Sequence, residues 1–406
     1  MNRILTKYPA LTSRDYLLQW VGQFVSNAGT QMQVVALNWQ LYEMTHSPFV
    51  LALLGASRII PIIVFSLIGG TLVDAHNRKK ILYVTQTTQA LLALAMAILT
   101  WTGTATVPNL LFINAMLVAI FCLDSPARSA FLPSLVKREH YGNAVSLNII
   151  GYNISTVAGP AIAGFLIAGT GVASIYFLNA ASFVILLLLL FIMKAHGGVE
   201  GTPQPASIHA IKEGLHFVMS RTLIWSTMIL DFFSTLFAEA TILLPIFAKD
   251  VLHVGPEYLG LMYAAPFIGA SWVGFIAATV GKRLHTGKIL LYSIVVYAIG
   301  TILFGFSKNY YLSLFALIIV GAGDGMSSVI RNIIRQMTTP DYIRGRMTAI
   351  NMIFYTGGPR LGEVEAGLLA GLIGAPMTVV VGGIGTLIVV GIMSFTIPLL
   401  RQYKEE

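Results

Sequence analysis

The sequence predicts an all-α integral membrane protein with twelve transmembrane helices in two pseudo-symmetric six-helix halves. Three observations carry this. Of 406 residues, 56% are apolar and only 10% charged; apolar runs of spanning length recur along the whole chain; and the second half repeats the first at a fixed offset. Soluble domains carry roughly 25% charged residues. So sparse a supply cannot cover a water-exposed surface, which excludes an ordinary cytosolic enzyme. A mean hydropathy of +0.78 excludes disorder, because such a chain buries ample apolar surface. One span with its connection takes roughly 25–35 residues, of which about 20 cross the hydrocarbon. A chain of 406 residues therefore holds about twelve spans and little else.

The first six runs fall at 16–42, 49–73, 81–101, 109–131, 143–168 and 173–193, and six more at 223–248, 257–280, 289–306, 310–334, 347–373 and 377–400. Several are rich in Gly and Ala, as expected where membrane helices pack closely. None shows the short alternating segments of a transmembrane β-barrel. The polar stretch between the two sets contains GGVEGTPQP. The expected organisation is an N-terminal six-helix half (1–193), a cytoplasmic linker (194–221) and a C-terminal six-helix half (222–406). The first residues, MNRILTKYPALTSRDY, are polar and lack the apolar core of a cleaved leader, so they read as a cytoplasmic tail.

Lys and Arg set the orientation. With an even number of spans both termini share a side, and 21 of the 25 basic residues fall on that side, Arg78, Lys79, Lys80, Lys137, Arg138, Arg344 and Arg346 among them. Lys249 and Lys308 fall opposite, and Arg58 and Arg360 lie within spans. Both termini are expected in the cytoplasm. The net charge of +8 is thereby accounted for by topology, and no nucleic-acid partner is expected. The single cysteine, Cys122, permits no internal disulfide. The eight histidines are scattered without ligand spacing, so no metal is assigned.

An offset of 203 aligns Arg128 with Arg331, Gly142 with Gly345, Asn148 with Asn351, Tyr152 with Tyr355, Gly159 with Gly362 and Gly164 with Gly367. Nine identities fall in 39 ungapped positions from residue 128 to 166. Parallel six-helix halves related by an axis along the membrane normal are a transporter architecture.

The segment GGTLVDAHNRKKIL, 69–82, joins spans 2 and 3. Its Gly70, Leu72, Asp74, Arg78 and Lys79 resemble the loop 2–3 signature of the major facilitator superfamily, G-x-L-x-D-x-x-x-R-K, and it departs at Asn77, where a second Gly is usual. In span 5, AGPAIAGFL resembles the antiporter motif of that superfamily through Gly159, Pro160, Ala163 and Gly164, a motif that goes with export. SPARSAFLPSLV (125–136), TPDYIRGRM (339–347) and LLPIFAKDVLHVGPEYLGLMYAAPFIGA are similar to the enterobactin-exporter-like and macrolide-efflux-like branch. The resemblance runs over essentially the whole chain. It implies the major facilitator fold, with helices 1, 4, 7 and 10 lining a central cavity and helices 2, 5, 8 and 11 forming the moving contact between halves. GAGDGMSS, 321–328, lies inside a span with no strand before it, so it reads as helix packing and not as a dinucleotide loop.

Ionisable groups inside spans cost about 2.5–3.5 kcal/mol on insertion scales and face a partner or a wet cavity. They are Arg58 in span 2, Asp124 and Arg128 in span 4, Asp231 and Glu239 in span 7, Asp324 and Arg331 in span 10, and Arg360, Glu363 and Glu365 in span 11. Asp124 and Arg128 are four apart and can pair, with Arg78 near enough to join. Asp231 and Glu239, roughly 12 Å apart along the helix, lead the proton-coupling candidates, with Glu363 and Glu365 beside them. At the 203 offset Glu363 takes the place of Pro160, so helix 11 has charge where helix 5 has its motif. Arg58 lies roughly 13 Å from the outer end of helix 2, and Glu363 roughly 24 Å up helix 11 in a core about 30 Å thick. Arg58 is therefore a candidate to bridge to Glu363 or Glu365, with local pairing of Arg360 and Glu363 as the competing arrangement.

The expectation is a non-enzymatic secondary transporter of the plasma (inner) membrane, working as a monomer without a cofactor. It exports a small amphiphilic molecule, a siderophore or drug, against protons by alternating access. The alternative is a proton-coupled importer or facilitator with the same fold.

Overall fold

The computed structural model describes residues 8–198, 208–280 and 287–403. It is all-α. The long helices are α1 (Arg14–Thr45), α2 (Pro48–Ala75), α3 (Arg78–Trp101), α4 (Val107–Phe131), α5 (Tyr141–Thr170) and α6 (Val172–Ile192), then α7 (Thr222–Ala238), α8 (Pro256–Val280), α9 (Gly287–Phe306), α10 (Tyr310–Thr338), α11 (Arg344–Ile373) and α12 (Ala375–Thr396). A short helix, Ile208–Ser220, precedes α7.

Among the described residues ten helical segments are long and apolar enough to cross a membrane. The two expected spans outside that set are α1 and α11. Each is long enough, but α1 carries Gln23, Asn27, Gln31, Gln33, Asn38 and Gln40, and α11 carries Arg360, Glu363 and Glu365. Polar groups lower a helix's hydropathy without shortening it, and inside a membrane they face a partner or a wet cavity.

The chain clusters into two compact units. The first holds residues 57–205 with the N-terminal 44; the second holds 206–406 with residues 45–56, the first turns of α2.

In the first unit the N-terminal turn is tied to the foot of α5: Ala10 N donates to Asn143 Oδ1 (3.1 Å) and the buried Tyr16 hydroxyl donates to Ala144 O (2.9 Å). Tyr16 packs there with Leu82, Phe131, Leu147 and Leu186. Small residues set the helix spacing. A Cβ at Gly69 of α2 would lie 2.6 Å from Cys122 O of α4, and one at Gly22 of α1 would lie 2.6 Å from Leu186 of α6.

In the second unit α7 packs against α11 and α12, with Leu230, Leu290, Ile330, Ile334 and Leu400 in one core. The helix before α7 rests on the start of α11 through a Glu213–Arg346 ion pair and a small core that holds Val218, Met347 and Ile350. The opening of α2 lies against α11 as well: a Cβ at Gly367 would meet Ala52 Cβ at 2.7 Å, and one at Gly55 would meet Glu363 Cβ at 2.9 Å.

Span 7 is not the continuous helix that its apolar run suggests. Regular α-helix ends at Ala238, and 3-10, α and π turns carry the chain to Val251. Two local causes act together. Glu239 accepts from the amide and hydroxyl of Thr241, offering the backbone an alternative partner. Pro245 follows, which lacks an N–H and crowds the carbonyl four residues earlier.

Candidate functional site

The most buried charges of the second unit meet where α7 crosses α10. Arg331 Nη2 lies 2.8 Å from Asp231 Oδ1, and both side chains are 2% exposed. Arg331 Nη1 donates to Ser327 Oγ (2.6 Å), and Nη2 lies 3.6 Å from Asp324 Oδ1, whose side chain is half exposed. Asp324, Ser327 and Arg331 share one face of α10 because they are three and four residues apart. The set is incomplete. Asp231 Oδ2, Arg331 Nε and the Ser234 hydroxyl are buried without a hydrogen-bond partner among the described residues. Buried polar atoms are nearly always satisfied, so this pair has spare capacity for a proton, water or ligand.

Glu239 lies apart from this pair, at the end of α7. Its Cβ sits where a side chain on Gly362 of α11 would fall, at 2.8 Å. Glu363, the next residue of α11, is buried and pairs with Arg360. The local Arg360–Glu363 pairing is thus present, and the Glu239 and Glu363 carboxylates are within Coulombic range of each other. Glu365 is half-buried on another face of α11. Arg58, three residues along α2 from Gly55, is 6% exposed.

The first unit holds its own cluster. Asp124 of α4 is fully buried, accepting from Thr85 Oγ1 and Gln86 Nε2 of α3 (both 2.7 Å) and pairing with Arg128. Thr85 and Gln86 escaped the sequence reading, because two neutral side chains near the start of an apolar run carry no signature. Arg78 makes no ion pair with Asp124 among the described residues, and its Nε is buried without a hydrogen-bond partner there. Its amide donates to Gly197 O (2.9 Å), while Lys79 Nζ donates to Met193 O (2.5 Å). The Lys79 ammonium and the Arg78 backbone amide therefore hold the chain leaving α6. Asn77 caps α3, accepting from Lys80 N (3.1 Å). Gly70 and Asp74 belong to α2, but their side-chain surroundings lie outside the described residues.

In α5 the motif residues Gly159, Pro160 and Gly164 are buried. A Cβ at Gly159 would lie 2.9 Å from Ala28 O of α1, so the glycine sets a backbone-to-backbone approach. Arg335, in the last turn of α10, carries no sequence signature, yet it is 5% exposed and donates to Asn351 Oδ1.

Residues 6–406 match the family model for transmembrane secretion effectors. The chain belongs to that family, within the major facilitator superfamily. It is 28% identical over 398 residues to the MFS-type transporter YfiS of Bacillus subtilis (strain 168), covering 92% of this chain and 90% of the relative. It is 27% identical over 403 residues to the enterobactin exporter EntS of Citrobacter koseri, covering 95% and 92%. Among solved structures, a bacterial homologue of the human lysosomal transporter Spinster, inward-facing and unoccupied, superposes with a TM-score of 0.77 at 11% identity over 96% of this chain and 98% of that one. An inward-facing bacterial homologue of ferroportin gives 0.73 at 16% identity, covering 94% and 98%. These likenesses establish the major facilitator fold. The chain is thus a multi-pass membrane transporter and not an enzyme.

Proposed function

We propose that this transporter exports a small amphiphilic molecule, a siderophore or drug, by proton antiport with alternating access. It would act as a monomer in the inner membrane with both termini in the cytoplasm. The likeness to enterobactin exporters supports the direction and cargo class, and the Gly159–Pro160 motif of α5 points the same way.

The observation that carries proton coupling is the incomplete Asp231–Arg331 pair. A carboxylate whose second oxygen has no partner can accept a proton there without breaking an existing hydrogen bond. Protonation cancels the charge that holds Arg331 Nη2, and Asp324 is the other carboxylate beside that nitrogen. A guanidinium with two carboxylates in reach has two arrangements, and a proton on Asp231 favours the second. Glu239, at the break ending α7, is the other candidate carrier. Arg58, Glu363 and Glu365 remain candidates for a gate that a proton would release.

The test is transport in sealed vesicles. Purified protein with an imposed pH gradient should move iron-free enterobactin or a lipophilic dye against proton flow. Movement in the same direction as protons rejects antiport and favours an importer of the same fold.

A further inference from the structure

The two halves differ in the chemistry of one helix face, and the packing contacts identify which positions correspond. Ser155 of α5 donates to Phe24 O of α1 (3.2 Å), and at Gly358, its counterpart in α11, a Cβ would lie 2.9 Å from Phe232 O of α7. A Cβ at Gly159 would meet Ala28 O and Gln31 Cβ, both at 2.9 Å. One at Gly362 would meet Leu236 O at 2.7 Å and Glu239 Cβ at 2.8 Å. Phe24 thus corresponds to Phe232, Ala28 to Leu236 and Gln31 to Glu239, all at an offset of 208. The same offset places Gln23 at Asp231 and Asn27 at Thr235.

Gln23, Asn27 and Gln31 follow one another every four residues. They form a stripe rising about 6 Å per step within about 80° of arc. All three side chains are half-buried, and none makes a hydrogen bond among the described residues. Other faces of α1 are occupied: Gly22 and Gly29, nearly opposite the stripe, approach α6, and Phe24, Ala28 and the Gln31 Cβ, beside it, approach α5. The side opposite the stripe is apolar, with Leu18, Val21 and Val25. Hydrocarbon leaves amides unsatisfied at a cost of several kcal/mol each, so the stripe requires water or a ligand, and Val21 and Val25 suit lipid. Trp20 and Phe24 stack at its lower edge, with ring centroids 6.1 Å apart. The charges of α1 are confined to its ends, at Arg14, Asp15 and Glu43.

We propose that Gln23, Asn27 and Gln31 form the recognition wall for the transported molecule, and that they select an uncharged face bearing amide, ester or hydroxyl groups. Each amide both donates and accepts, so the three meet mixed donors and acceptors at about 6 Å intervals, with Trp20 and Phe24 offering a ring surface. An anionic or cationic face gains no countercharge there. The charge-handling face is the equivalent one on α7. This assignment rests on the transporter reading above and narrows its cargo class.

The experiment is equilibrium binding to the full chain in lipid nanodiscs, with no gradient. The probes are iron-free nocardamine (an uncharged cyclic hydroxamate), chloramphenicol, and tetraphenylphosphonium, a cation without hydrogen-bonding groups. Gln23→Met, Asn27→Leu and Gln31→Met should each weaken at least one uncharged probe about tenfold, the scale of one lost buried hydrogen bond, with tetraphenylphosphonium affinity unchanged. Gln31→Glu, which copies the α7 residue, should weaken the uncharged probes and strengthen the cation. The assignment is overturned if the wild type binds only the cation or none of the three, if the variants leave the uncharged probes unaffected, or if all probes weaken together. Binding that survives while proton-driven efflux fails in vesicles would remove the antiport reading and leave the wall in place. Intact antiport with unaltered probe binding in the variants would do the reverse.

Discussion

Arg128 and Arg331 occupy the same position in the two repeats, and each is held by a buried carboxylate, but the carboxylates come from different places. Arg128 is paired within its own helix by Asp124, one turn earlier, and Asp124 is also hydrogen-bonded by Thr85 and Gln86. At Asp124's position the second repeat has Ser327, which does accept from Arg331 but brings no charge. The charge arrives from another helix, through Asp231 of α7, with Asp324 as a further partner. An i,i+4 pair moves as a body with its helix. A pair across α7 and α10 breaks when either helix shifts. The first cluster is therefore built to stay, and the second to exchange partners.

The largest expected effect follows from removing the guanidinium. Arg331→Met leaves Asp231 buried without its paired countercharge and should cost about 3–5 kcal/mol, the usual result of breaking a buried pair from one side. Arg128→Met leaves Asp124 its two neutral donors and should cost clearly less. Asp231→Asn should be milder still, because Arg331 keeps Ser327 and Asp324. Unfolding of the purified variants in detergent gives the ranking, and equal losses at the two arginines would break the contrast between fixed and exchangeable clusters.

Coupling sharpens the same contrast. Asp231→Asn or Glu239→Gln, which bring α7 close to the amide chemistry of α1, should lower gradient-driven accumulation at least about tenfold while leaving downhill exchange, as expected when a proton carrier and not the cargo path is lost. Asp124→Asn, scored per folded molecule, should keep accumulation. Uphill transport retained by both α7 variants would remove these carboxylates from the coupling step.

The fold was legible because its signals are averages over many residues: hydropathy over a span, and the 203 offset over 39 positions. The partners of the buried charges were not. Asp231 and Arg331 are a hundred residues apart, and no local pattern says which helix faces which. The i,i+4 pair Asp124–Arg128 and the i,i+3 pair Arg360–Glu363 were readable, since helix geometry alone brings them together. The break after Ala238 was hidden by an unbroken apolar run, although Pro245 was in view. Pro359 carries no motif of its own. It stands one turn before Glu363, at the place of Thr156, so α11 has its own proline one turn earlier than Pro160 in α5. The charge at Glu363 thus accompanies a shifted proline instead of simply replacing one.

The smallest expected effect compares two helix starts. Asn77 caps α3 through Lys80 N, and Asn309 caps α10 by accepting from Tyr311 N (3.0 Å) and Leu312 N (3.2 Å). Replacing either by Ala should cost about 1 kcal/mol, the usual loss of an N-cap, and replacement by Gly only a few tenths. The superfamily glycine at position 77 should therefore be tolerated. The two sites differ in what rests on them. Gly197 lies over Asn77, its carbonyl accepting from Arg78 N, and Ala195 N donates to Asp15 Oδ2 (2.6 Å). Loosening the start of α3 should free the chain that leaves α6, whereas loosening the start of α10 should not. Hydrogen exchange at the Arg78 and Ala195 amides should accelerate in Asn77→Ala and stay unchanged in Asn309→Ala. Equal exchange in the two variants would mean that Asn77 only caps a helix, and that Lys79 alone ties the end of α6 to the signature loop.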